Sequence, residues 1–310
     1  MSLHTLYLLP AFLLLALQAY LGVIGFGLQL VILGISLVVI GIPHGALDYL
    51  VFRQQEHASG RHYPLLRFGV FYLGLMLLYG LLWWLSASLA LIVFLLISAW
   101  HFADTDLAGL SLQRASDQFI RIAWGCWLLL SLLFTHTTEI IPYLQQLTGA
   151  GSLLVRFAHA YAGYSTAVWL GGLAVWPLLL WLRLRSARLP LSAWLPVVAV
   201  LLLLLLCRML PLILAFTVYF SFWHSLRSFR SVCHYLAPRR LRSGWLRQWL
   251  LQTLPFIAGA FAGLALFFLF GYAPGATLSP FWIFLSLITL PHGLLMHDVF
   301  ARAAPGQQEP

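Results

Sequence analysis

Apolar windows recur along the whole chain, near residues 6–21, 26–50, 66–86, 88–106, 118–135, 160–182, 190–207, 210–228, 248–271 and 278–300. Most approach or exceed the roughly 20 apolar residues that a helix needs to cross the hydrocarbon core of a bilayer. The pattern predicts an all-α fold, a polytopic integral membrane helical bundle of about 10 transmembrane helices (8–10). Very short turns join the first span to the second, the third to the fourth and the seventh to the eighth. Residues 1–302 read as a single multi-span transmembrane domain, and "AAPGQQEP", 303–310, as a disordered C-terminal tail. No Lys or Arg precedes the first apolar run and no small-residue cleavage site follows it, so it is expected to stay as a helix rather than leave as a signal peptide. Segment 136–159 reads as the longest outside loop and carries no functional signal.

Charge orients this bundle. All 17 basic residues are Arg. With a cytoplasmic N-terminus, only Arg156 and Arg208 fall outside, and the other arginines fall in inside segments, the bias expected of a membrane protein. The expectation is a multi-pass protein of the cell's inner (plasma) membrane with both termini cytoplasmic. The most basic stretch, 227–247, should lie along the anionic leaflet, with Trp245 and Trp249 as interfacial anchors. A composition 62% hydrophobic and only 8% charged excludes an ordinary soluble domain, in which about a quarter of residues are charged. The net charge of +9 does not imply nucleic acid, because the arginines sit in short gaps between spans rather than on a solvated surface. Cys126, Cys207 and Cys233 are isolated, with neither metal-type spacing nor a disulfide framework.

Histidine is where the chemistry concentrates. Of 11, six (His4, His57, His62, His136, His159 and His234) fall at termini or in loops, where a solvated or interfacial imidazole needs no explanation. His44, His101, His224, and His292 with His297, fall instead in the second, fourth, eighth and tenth spans. On this topology those spans all run from outside to inside. The leading histidine of each lies roughly one to two turns short of the cytoplasmic end, so a rise of about 1.5 Å per residue sets His44, His101, His224 and His292 at one depth. Ionisable groups inside a membrane are costly and mark function. Asp48 follows His44 by one turn, Asp104 follows His101, and Arg227 follows His224. Several imidazoles without cysteine suit iron, copper, zinc or nickel. Asp48 and Asp104 are placed to accept the second N–H of a metal-bound ring, as carboxylates behind metal sites do. Arg227 at that depth needs a partner, and either carboxylate would serve.

The stretch "GIPHGALDYLVF", 41–52, returns near the other end as "TLPHGLLMHDVF", 289–300. A proline lacks an N–H and is expected to bend each helix beside its histidine, while Gly45 and Gly293 permit close approach of another helix or a ligand. Aromatic residues are dense at this depth, and a subset is expected to line a lipophilic tunnel, with the rest packing the core.

"PHGALD" at 43–48, "WHFADTD" at 100–106, "FWHSLR" at 222–227 and "LPHG" at 290–293 together resemble the Brp/Blh family of membrane-bound bacterial and archaeal carotene dioxygenases. The four motifs span nearly the whole chain and occur in family order. The resemblance implies a catalytic domain over 1–302, a non-haem Fe(II) cofactor, and O₂ as co-substrate. It also implies cleavage of β-carotene at its central double bond into two all-trans-retinal molecules, and so a functional link to a microbial rhodopsin. His44, His101 and His224 match family iron ligands, but Ser228 stands where the family has a fourth histidine. His292 is the expected replacement, with Asp48, Asp104 and Arg227 acting behind the ligands. The expected partners are lipid, O₂ and a lipophilic carotene, with no nucleic acid. The alternatives are a non-catalytic carotenoid- or retinal-binding accessory membrane protein, and a His-ligated haem or other-metal membrane oxidoreductase.

Overall fold

The computed structural model describes residues 3–108, 110, 112, 116–187, 189–236, 245–270 and 278–302, and the described residues are helical with no strand. The expected tail, 303–310, and much of the basic stretch, 237–244, lie outside them. The N-terminal part holds α1 (Leu3–Leu21), α2 (Phe26–Ser36), a π-helical turn (Leu37–Gly41), α3 (Ile42–Gly45) and α4 (Asp48–Ala58). Then follow α5 (Pro64–Leu85), α6 (Ala87–Asp106) and α7 (Asp117–Leu133). Next come α8 (Thr137–Thr148), α9 (Leu153–Ala162), α10 (Ser165–Leu184) and α11 (Leu191–Cys207). After α12 (Leu212–Thr217), a second π segment (Val218–Ser225) continues into α13 (Leu226–Leu236), and the chain ends with α14 (Trp245–Phe270) and α15 (Ser279–Arg302).

Seven helical stretches among the described residues are long and apolar enough to cross a membrane, rather than ten. The first and seventh expected spans are shorter apolar helices, Tyr7–Leu21 and Leu191–Cys207. The eighth, α12 to α13, is continuous helix but is diluted by Ser221, His224, Arg227 and Ser228. The segment expected to be an outside loop is instead mostly helical, forming α8 and α9, and the fifth span runs on through it as Ser116–Thr148. His136 lies inside that stretch rather than in solvent. It is buried, with Nε2 2.9 Å from the Leu210 carbonyl and Nδ1 3.1 Å from that of Leu132. Trp249, expected as an interfacial anchor, is buried and edge-on to Phe229 at the start of the span Trp249–Leu269; the side chain of Trp245 lies outside the description.

α6 is the central element, packed on α5, α7 and α15. Ser86 caps it, its hydroxyl accepting from the Leu89 amide, which satisfies one of the N–H groups left orphaned at a helix start. Against α7 the two backbones nearly touch, because a Cβ added at Gly125 would land on the backbone of Ala99. Membrane helices gain packing from such small-residue contacts, since lipid gives no hydrophobic push between them. Buried acids are neutralised by arginine where helices meet. Arg183 grips Asp117 through Nε and Nη2, both at 2.8 Å, and Glu56 is held by Arg61 and Arg67.

Candidate metal centre

Four helical segments bring His44, His101, His224 and His292 together, all between 1% and 7% exposed. One ring nitrogen from each of His44, His224 and His292 lies within 4.8 Å of the others. His101 Nε2 is 3.1 Å from His224 Nε2, and its ring sits 4.8 Å, nearly perpendicular, from that of His292. The four imidazoles therefore form one cluster, assembled from residues 248 positions apart (44 to 292). His297, although on the same helix as His292, is not part of it; its Nδ1 lies 2.8 Å from Asp104 Oδ2.

Local backbone form explains how two of these rings reach the centre. Both π segments adjoin cluster histidines: Leu37–Gly41 precedes His44, and Val218–Ser225 contains His224. A π turn inserts a residue into the helical ladder and recurs at functional sites. Pro43, at the start of α3, has no N–H to donate back to that turn. The second Pro-His-Gly behaves differently, because α15 stays α-helical through Pro291. The repeated tripeptide therefore folds in two ways, and only the first copy interrupts its helix.

Hydrogen bonds behind the cluster depart from the sequence expectation. After α3 the chain makes a turn at Ala46 and Leu47 before α4 begins at Asp48, and Asp48 makes no hydrogen bond to His44. His44 Nδ1 instead bonds the Gly41 carbonyl, leaving Nε2 as its other ring nitrogen. Asp48 faces across to α15, where its Oδ1 lies 2.8 Å from His292 Nδ1. Its Oδ2 accepts from the Tyr72 hydroxyl at 3.0 Å. Asp104 accepts from Arg121 at 2.8 Å and pairs with His297, so it touches no cluster histidine. With both carboxylates taken, Arg227 pairs with neither. It donates to the Thr105 carbonyl at 3.1 Å and lies 4.8 Å over the Trp223 ring.

Two participants stood outside the expected site residues, although Asp106 follows His101 closely in the sequence. Tyr72 sits on a helix of otherwise apolar character, and nothing local marks its hydroxyl as reaching Asp48. Asp106, at the end of "WHFADTD", is a buried hub beside the cluster. It accepts from Trp223 Nε1 at 2.7 Å, Tyr219 at 3.2 Å and Trp124 Nε1 at 3.3 Å, tying α6 to α7 and to the π segment that carries His224.

The cluster fits a divalent cation. Three ring nitrogens, His101 Nδ1, His224 Nδ1 and His292 Nε2, are buried without a hydrogen-bond partner, a density of orphaned groups that interiors avoid. A neutral imidazole offers one lone pair, and His292 Nε2, the nitrogen left over from the bond to Asp48, would relieve its own cost by sharing that pair with a cation. The 3.1 Å between the Nε2 atoms of His101 and His224 is close to the separation of about 3 Å between neighbouring nitrogens bound at about 2.1 Å to one cation. The bond from His292 to a buried carboxylate is the pairing that orients metal-bound imidazoles. At Ser228, where a fourth ligand was sought, the hydroxyl is buried without a partner, and His292 is the histidine beside His44 and His224.

An apolar cavity of about 510 Å³ opens against all four rings. Its volume falls within the range of about 300–1,000 Å³ usual for small-molecule sites. Phe102, Phe220, Phe281, Trp282 and Phe284 line it. Other aromatics at this depth do different work: Trp223 and Tyr219 hold Asp106, Trp83 donates to Ser286, and Trp84 is exposed.

Searches of curated proteins and of solved structures return no significant match. The sequence does match one family, described as Beta-carotene 15,15'-dioxygenase, over residues 35–299, a stretch that includes every cluster histidine and Asp48, Tyr72, Asp104 and Asp106. The chain accordingly belongs to the beta-carotene 15,15'-dioxygenase family.

Proposed function

We propose that this protein is a membrane-embedded non-haem Fe(II) dioxygenase that cleaves β-carotene at its central double bond with O₂, giving two all-trans-retinal molecules. The observation that carries this reading is the meeting of four buried imidazoles with an apolar cavity of about 510 Å³. Such a cavity takes a long hydrocarbon polyene directly from lipid, and its walls exclude water from the reacting bond.

His44, His101, His224 and His292 would hold the iron, which when bound supplies the redox chemistry that joins O₂ to an electron-rich double bond. Both oxygen atoms end in the two aldehydes, so the stoichiometry needs no external reductant. The Gly41 carbonyl sets the tautomer and tilt of His44, leaving Nε2 to ligate. Asp48 does the same for His292 by accepting its Nδ1 proton, and the Tyr72 hydroxyl fixes the carboxylate in turn. Asp104 acts at one remove, anchoring α7 through Arg121 and the end of α15 through His297. Arg227 braces the start of α13 against α6 through the Thr105 carbonyl and the Trp223 ring. The whole of 1–302 would form one catalytic domain in the inner membrane with both termini cytoplasmic, supplying retinal to a microbial rhodopsin.

The test is expression in β-carotene-producing bacteria, with retinal measured by chromatography and iron by elemental analysis of the purified protein. Retinal accumulation with iron bound is expected. Cells that stay orange and hold no retinal, with the protein present in the membrane, would refute the assignment; a haem absorption band would redirect it to an electron carrier.

A further inference from the structure

The lining of the cavity beside the histidines divides into two unlike arms, one of buried residues and one that includes exposed ones. In one, the Phe220 ring meets His44 edge-on and stacks at 5.2 Å on Phe216, which meets Phe281 edge-on, and Leu133 lines the cavity with them. Phe216 and Phe281 are 5% exposed and Leu133 8%, so these side chains are enclosed by the bundle. The other includes His292, Tyr72, Gly69, Leu73 and Gly259. Leu73 is 59% exposed, and α5 and α14, which wall this arm, are the least buried of the seven candidate spans. Its exposed residues belong to α5 and α14, so a way in from lipid would lie between these two helices. The histidine cluster, with the orphaned His292 Nε2, stands where the arms join.

We infer that the buried arm is a measuring stop: a linear polyene enters end-first from the bilayer between α5 and α14, and the depth of the arm at Phe281 and Leu133 decides which double bond rests at the histidines. This rests on the proposed carotene cleavage and adds to it the structural basis of bond choice. In the reaction, the carbon–carbon double bond breaks and each of its carbons takes one atom of O₂, giving two aldehydes that together keep every carbon of the polyene. A stop as deep as half the substrate yields two equal aldehydes. A deeper or shallower stop moves the cleaved bond off centre and yields an unequal pair, with the same consumption of O₂.

The two arms respond differently to substitution. At Gly69 and Gly259 an added Cβ would meet nothing within 4 Å, so a larger side chain there obstructs the exposed arm without forcing the helices apart. The experiment runs the variants in β-carotene-producing bacteria and resolves aldehyde products by chain length with mass spectrometry. Phe281→Ala and the milder Phe281→Leu deepen the stop, and Leu133→Phe shortens it. Each is expected to raise the ratio of unequal aldehydes to retinal by about tenfold or more, the discrimination that a pocket methylene commonly carries. Gly259→Phe is expected to slow turnover while retinal stays the sole product. Retinal as the only product of the Phe281 variants and of Leu133→Phe, at whatever rate, would overturn the inference. So would loss of all cleavage in these three variants at wild-type membrane levels, or full activity in Gly259→Phe. A wild-type protein that forms no retinal would instead overturn the proposed function.

Discussion

Removing the carboxylate of Asp48 tests the metal centre most directly, because this group touches the cluster through one hydrogen bond. Asp48 is 1% exposed and holds His292 Nδ1 at 2.8 Å, while Tyr72 holds its second oxygen at 3.0 Å. In Asp48→Ala the imidazole of His292 loses the acceptor that fixes its tautomer and orientation. A hydrogen bond to a charged group contributes about 1.5–3 kcal/mol. With each 1.4 kcal/mol worth a factor of ten, iron affinity should fall about ten- to hundredfold, the range seen when groups behind metal ligands are removed. Tyr72→Phe leaves the carboxylate–imidazole bond intact and should cost less than Asp48→Ala, because it acts on the ligand only through the carboxylate. The assay is iron content of purified protein across a titration of limiting Fe(II), with a thermal melt to separate metal loss from unfolding. If folded Asp48→Ala binds iron as tightly as the wild type, Asp48 does not orient a ligand, and the reading of His292 as one loses its support.

Other perturbations probe the frame around the centre. Asp106→Ala strands three buried donors, those of Trp124, Tyr219 and Trp223. At about 1–3 kcal/mol for each unsatisfied group, its melting temperature in detergent should drop steeply, and an unchanged melt would refute the hub. Gly125→Leu should prevent α6 and α7 from closing, since even a Cβ meets the Ala99 backbone; folded protein at wild-type yield would contradict that packing. Arg183→Ala leaves the buried Asp117 carboxylate without its two-point partner, and removing one member of a buried pair costs about 3–5 kcal/mol; chemical denaturation is the check. A chelator should abolish cleavage and added Fe(II) restore it, while restoration by zinc alone would exclude redox chemistry at the site.

How much of this was legible in the sequence differs by level. The seven strongest spans were visible as apolar runs, because a bilayer demands length and apolarity in the chain itself. The eighth expected span falls short for the same reason that it matters: Ser221, His224, Arg227 and Ser228 dilute it. The burial of His136 and the helical form of segment 136–159 were not visible, because His136 and Glu139 find partners on the 210–212 stretch rather than in water.

The sequence by itself determined that the protein is helical and apolar enough for a membrane, and that His44, His101, His224 and His292 share one depth. Both follow from quantities local to the chain, namely the hydropathy of a window and the fixed rise of a helix. Only the tertiary structure decided which carboxylate serves which imidazole. A position on a helix fixes height but not which neighbour it faces, and Asp48, one turn after His44 in the sequence, bonds His292 on another helix. The same holds for Arg227, which found both expected acids already engaged by Tyr72, His292, Arg121 and His297. It holds also for the cavity, whose buried and exposed linings are set by how segments distant in the chain pack around one space.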